Sequence, residues 1–146
     1  MTDTVISPPS AYIKETDDGK GRGVFAAKNF QQGELIECAP VLVIEKPFKK
    51  LPPRLQHVVY HWQALTDGKE PGSALVYGYG SLYNHNNPAN IRYHADTEQQ
   101  AMVYVAARDI AKDEELTVNY NNAGGEPVSD NDNWFQRLGI TAIISQ

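Results

Sequence analysis

The chain has 146 residues, 41% of them hydrophobic, with 18 carboxylates against 13 lysines and arginines. That length suits one domain able to bury about two-thirds of the surface its unfolded form exposes. No window approaches the roughly 20 apolar residues of a membrane span, and the acidic balance disfavours direct nucleic-acid binding, which wants a basic stripe. The single cysteine, Cys38, excludes an internal disulfide and the cysteine-rich zinc clusters alike. In Ile36-Glu37-Cys38-Ala39 it reads as a small buried hydrophobe. Met1 to Ile6 carry neither a basic nor an apolar signal region, so the expected location is cytoplasmic.

Along the chain, the first third alternates β-like runs with turns. Tyr12-Ile13-Lys14, Val24-Phe25-Ala26 and Glu34-Leu35-Ile36-Glu37 are separated by Gly19 to Gly23 and by Gln31-Gln32-Gly33. Val41-Leu42-Val43-Ile44 reads as a further strand, short and buried. From Pro53, the residues Leu55, Val58, Val59, Trp62 and Leu65 recur at helical spacing with no glycine before Gly68. This predicts one amphipathic helix of about three turns with its apolar face on the sheet. Gly78 and Gly80 weaken any regular element between Ala74 and Tyr83 and allow backbone to approach a ligand closely. Ile91 to His94 and Ala101 to Ala106 read as a hairpin across Asp96 to Gln100, and Leu116-Thr117-Val118 as a last short strand. Asn121 to Asn133, rich in Asn, Asp and Gly, reads as a loop before Trp134 and Phe135. Without repeats or a linker, residues 1–146 form a single, mainly β domain with its core at about 12–122.

Three segments carry chemistry. Gly21-Arg22-Gly23 precedes a β-like run, whereas a dinucleotide-binding loop would have to open a helix. Tyr83-Asn84-His85-Asn86-Asn87 and Glu115-Leu116-Thr117-Val118-Asn119-Tyr120 together suggest a methyl-transfer site. In this order the three resemble the Gly-x-Gly element, the Asn-His motif and the Glu-Leu-x-x-Asp-Tyr motif of SET-domain protein-lysine N-methyltransferases, of the minimal type without zinc-binding cysteines after the domain. The resemblance runs from about Gly19 to Tyr120. It implies several small twisted sheets, one inserted helix from Pro53 to Leu65, and a pseudoknot-like C-terminal segment threaded under a preceding loop. It also implies S-adenosylmethionine as cofactor and a lysine in a protein or peptide as acceptor.

By the same resemblance, Tyr120 is the catalytic residue. Lys20, Gly21, Arg22, Tyr83, Asn84 and His85 bind the cofactor, and Trp134 covers its adenine in place of the missing zinc cluster. Tyr93 and Tyr77 line the lysine channel, with Tyr79 beside them. Two departures stand out: Asn119 occupies a place that is usually acidic, and Asn86-Asn87-Pro88-Ala89-Asn90 replaces the usual Ser-Cys-x-Pro-Asn.

Methyl transfer from a sulfonium to an amine needs an in-line approach and a neutral amine, so positioning supplies much of the rate. A free lysine has a pKa of about 10.4, which burial and the sulfonium charge both lower. A tyrosine hydroxyl orients the amine without adding charge. Asp109, Asp113, Glu114 and Glu115 favour a basic tail as partner by electrostatic steering. Small dimeric members of the family make a homodimer a further expectation. A second reading is a SET-like interaction module without catalysis. A third, a metal-dependent hydrolase on His57 and His61, lacks the glutamate after His57, where Val58 stands, so no metal is expected.

Overall fold

The computed structural model describes residues 5–19 and 21–120, and short strands dominate them. Strands β1 (Ala11–Glu15) and β2 (Arg22–Ala26) form an antiparallel hairpin. The ten-residue β3 (Leu35–Ile44) leads through a 3-10 turn at Phe48–Lys50 to the single-turn helix α1 (Pro53–Gln56). A two-residue strand β4 (Val59–Tyr60) and a second single turn α2 (Trp62–Leu65) follow. The remaining strands are β5 (Ser73–Val76), β6 (Asn84–His85), β7 (Ile91–Asp96), β8 (Ala101–Ala106) and β9 (Glu115–Val118).

These make two curled sheets, ordered β1-β2-β9-β6 and β4-β5-β3-β8-β7. All pairings are antiparallel except β6 with β9, which aligns Asn84 with Thr117 and His85 with Val118. Placing β9 between β2 and β6 brings the first, second and third motifs side by side. That is the portion of the expected threading that falls within the described residues; residues 121–146 lie outside them. Between the sheets, Val24, Leu116 and Val118 meet Ile91, Met102, Tyr104 and Trp62, all at 0% exposure. Each large apolar side chain buried so contributes about 1.5–3 kcal/mol.

The expected hairpin of β7 and β8 forms with Ile91 facing Ala106 and Asp96 facing Ala101. Two expectations change. The helix from Pro53 to Leu65 is split, because Val59 and Tyr60 pair with Leu75 and Ala74 of β5, and the Tyr60 hydroxyl donates to the Gly80 carbonyl at 2.9 Å. Here tertiary pairing overrides the helical spacing of the apolar residues, and β-branched Val59 suits a strand. The two runs expected on either side of Pro40 are one strand instead. It pairs with β8 from Leu35 to Pro40, then with β5 from Val41 to Ile44. Its second half is not a buried strand: Leu42 is 49% exposed, and Val41, Val43 and Ile44 are half-buried.

Candidate active site

Asn84 stands at the junction of the three motifs. Its Nδ2 donates to Glu115 Oε2 at 2.8 Å and to the Arg22 carbonyl at 3.1 Å, leaving Oδ1 on offer as an acceptor. Gly23 makes this approach feasible: a Cβ there would lie 2.5 Å from Glu115 Oε2, 2.9 Å from Thr16 Cγ2 and 3.0 Å from Asn84 Nδ2. The preceding turn is exposed, with Gly21 at φ +84. Its carbonyl accepts from the Thr16 backbone N–H at 2.7 Å and hydroxyl at 2.9 Å.

Next to Asn84, the buried His85 ring lies 5.2 Å from that of Tyr120, tilted by 42°. The Tyr120 N–H donates to His85 Nδ1 at 3.2 Å, so the imidazole proton sits on Nε2. The Tyr120 hydroxyl donates to the Tyr83 carbonyl at 2.9 Å. Burial, reinforced by the Glu115 carboxylate, pushes this phenol up to about 12. Tyr120 is therefore an uncharged hydroxyl at neutral pH. Asn119, fully buried, gives its carbonyl to the Tyr93 hydroxyl at 3.2 Å.

Beside Tyr120 the rings of Tyr60, Tyr93, Tyr104 and Tyr83 pack in sequence. Tyr60 meets Tyr93 edge-on at 5.2 Å, Tyr93 meets Tyr104 at 5.9 Å, and Tyr104 meets Tyr83 at 4.9 Å. The Tyr104 hydroxyl is 3.1 Å from that of Tyr60 and 3.2 Å from the Gly80 carbonyl. Burial holds all four phenols above their ordinary range, keeping the cluster neutral. One carboxylate lies among them. Glu37, 3% exposed, accepts the Tyr83 hydroxyl at 2.7 Å and the Tyr79 N–H at 2.9 Å. Burial outweighs both bonds and raises its pKa.

Residues 21–121, which span all of these groups, match the SET domain family. The chain belongs to the SET-domain family. It is 31% identical over 113 residues to the histone-lysine N-methyltransferase, H3 lysine-37 specific, of Schizosaccharomyces pombe, covering 75% of this chain and 72% of that one. A candidate histone methyltransferase of Plasmodium falciparum superposes with a TM-score of 0.62 at 28% identity, over 79% of this chain and 95% of the other. The Neurospora SET domain protein DIM-5, a histone lysine methyltransferase, shares the fold, with a TM-score of 0.58 at 20% identity over 75% of this chain and 51% of that one.

Within this SET domain, Gly21, Arg22, Tyr83, Asn84, His85, Tyr93 and Tyr120 are brought together. Tyr77 is not: it stands 48% exposed beyond β5, outside the buried ring cluster. Tyr79 packs partly against that cluster. Lys20, Trp134 and Phe135 lie outside the described residues. Cys38 is half-buried, and burial pushes its thiol up. His57 and His61 are both exposed, one on each side of β4, so they share no helical face.

Sequence reasoning missed Glu37, Tyr60, Tyr104 and Asn90. The signal for Glu37 was a lone carboxylate in the apolar run Leu35-Ile36-Glu37-Cys38-Ala39, where a buried charge is costly enough to need a reason. Asn90 is the asparagine of the resembling loop. Its Oδ1 accepts the Thr117 N–H at 2.8 Å and its Nδ2 donates to the Glu115 carbonyl at 2.7 Å.

Proposed function

We infer that this SET domain is a protein-lysine N-methyltransferase, moving a methyl group from S-adenosylmethionine to the side-chain amine of a lysine in a protein substrate. The observation that carries this reading is the single Asn84 amide joining all three motifs, next in the chain to Tyr83, whose carbonyl receives the Tyr120 hydroxyl. The donor set suits a cationic nucleoside. Asn84 Oδ1 offers an acceptor to an ammonium group, the Glu115 carboxylate adds negative charge beside it, and the exposed Gly21-Arg22 backbone leaves room for close approach. S-adenosylmethionine, when bound, supplies an electrophilic methyl group on a positive sulfonium.

The protein's own part is to bind, orient and exclude water. Tyr83, Asn84, His85, Gly21 and Arg22 are the holding residues in this proposal, joined by Lys20 and Trp134 from outside the described residues. Tyr120 orients the acceptor amine through an uncharged hydroxyl, which donates its proton to the Tyr83 carbonyl and meets the amine as an acceptor. Tyr93, fixed by the Asn119 carbonyl, narrows the approach to the amine. The hydrophobic ring cluster favours the neutral amine by desolvation.

The acidic balance of the chain and the H3 lysine-37 specificity of its Schizosaccharomyces relative support a basic tail as substrate. The test is calorimetric titration of S-adenosylmethionine, followed by methyl transfer to arrayed basic lysine peptides. Saturable one-to-one binding and a methylated peptide are expected. No heat at millimolar ligand and no transfer would overturn the reading.

A further inference from the structure

Glu37 owes its buried position to a β-bulge. On β3, Leu35 and Glu37 oppose the neighbouring Val105 and Tyr104 of β8, leaving Ile36 as the extra residue. The bulge breaks the alternation of faces, so Ile36 and Glu37 are both buried, at 4% and 3% exposure. Among the described residues the carboxylate then accepts hydrogen bonds from a phenol and a peptide N–H, both neutral. A buried charge without a cationic partner is expensive, and an apolar residue would be cheaper for folding alone.

What the carboxylate does is hold both ends of one loop. Oε2 takes the Tyr79 N–H at 2.9 Å and Oε1 takes the Tyr83 hydroxyl at 2.7 Å. Gly78 leaves the room, since a Cβ there would lie 2.5 Å from Oε2. The same loop is gripped in its middle, where the Gly80 carbonyl receives Tyr60. At its end the Tyr83 carbonyl receives the Tyr120 hydroxyl, and the next residue is Asn84.

The geometry points to Glu37 as a positioning residue for methyl transfer: through Tyr83 it fixes the carbonyl that orients the Tyr120 hydroxyl. This rests on the reading of Tyr120 as the catalytic phenol. Glutamine at this site keeps an oxygen for the Tyr79 N–H and offers an amide N–H to the Tyr83 oxygen, which accepts as well as donates. Alanine keeps neither contact. The role is therefore one of hydrogen-bond geometry rather than of charge.

The experiment labels tyrosine rings with carbon-13 and follows the Tyr120 signal by NMR alongside steady-state kinetics. Glu37→Ala and Tyr83→Phe should each move the Tyr120 resonance and lower kcat at least about tenfold, with peptide KM changed less than about threefold. Glu37→Gln should return both readouts toward the parent protein. A folded Glu37→Ala protein with the parent resonance and kcat overturns the proposal. Should Glu37→Ala fail to fold, Tyr83→Phe decides it by the same two readouts. A parent protein that methylates no peptide sinks the methyltransfer reading, and the resonance shift alone then decides the link from Glu37 to Tyr120.

Discussion

Asn84 and Glu115, 31 residues apart in sequence, are joined by a 2.8 Å hydrogen bond from amide to carboxylate. The same amide reaches the Arg22 carbonyl, 62 residues away. One side chain thus ties the first hairpin, the β6 segment and the start of β9 into a single wall. One of its two bonds ends on a carboxylate, and a hydrogen bond to a charged acceptor is stronger than a neutral one.

Removing that amide should be felt in binding before it is felt in folding. Asn84→Ala is expected to lose about 1–2 kcal/mol of stability from its two bonds. S-adenosylmethionine affinity, read by calorimetry, should fall at least about tenfold. Affinity within a factor of about two of the parent protein would remove Asn84 from the cofactor site.

Two glycines separate crowding at the site from strain in the fold. In Gly23→Ala the new Cβ meets the far ends of the Glu115 and Asn84 side chains and the Thr16 methyl, so side chains rather than backbone have to give. The expected result is weakened cofactor binding with a melting temperature close to the parent's. In Gly72→Ala the Cβ would sit 2.0 Å from the Ile44 backbone oxygen at φ +82. That change should cost more than about 2 kcal/mol, leaving the affinity of the folded fraction unaltered. Equal effects of the two changes on affinity would refute this division.

Tyr120→Phe keeps the ring that packs on His85 and deletes the hydroxyl held by Tyr83. We expect kcat to fall roughly a hundredfold and cofactor affinity to hold. Because burial pushes the phenol up to about 12, Tyr120 does not titrate between about pH 7 and about pH 10. The rise of rate with pH in that window belongs to the substrate amine. The variant's profile should be lower but inflect at the same pH; a displaced inflection would contradict a neutral Tyr120.

Glu37 makes stability depend on pH in a direction opposite to that of a salt-bridged carboxylate. Its folded-state pKa is raised, so the folded chain binds this proton more tightly than the unfolded chain does. Stability from this site is fully present below the ordinary carboxylate range and is lost as pH rises through the folded-state value. Glu37→Gln removes the slope. Urea unfolding at about pH 4.5 and about pH 8 should show the variant gaining on the parent protein at the higher pH. Parallel curves would mean that burial does not perturb Glu37.

The hairpin of β7 and β8 was legible because Ile91, Arg92, Tyr93 and His94 alternate buried and exposed, the period of a half-buried strand. The three motifs were legible because polar residues in fixed short spacing stand out against apolar runs. The helix beyond Pro53 was misread, since apolar spacing is silent about a sheet edge waiting to pair with Val59 and Tyr60. Tyr60 looks like a helix residue and Tyr104 like an ordinary strand residue until the distant Gly80 carbonyl meets both hydroxyls. Glu37 was hidden by the bulge, which alters the face of a residue without altering composition.

Asn90 spans β9 from the Glu115 carbonyl to the Thr117 N–H, as the peptide group of a neighbouring parallel strand would. A slip of β9 by two residues would preserve the inward set of side chains and so pass unopposed by hydrophobic burial. The Asn90 side chain opposes it, because its amide nitrogen also donates to Glu114 Oε2 at 3.1 Å, and a two-residue slip would put Lys112 or Leu116 in that place. A single side chain thereby indexes the strand, and with it the height at which the Tyr120 hydroxyl stands above the Tyr83 carbonyl.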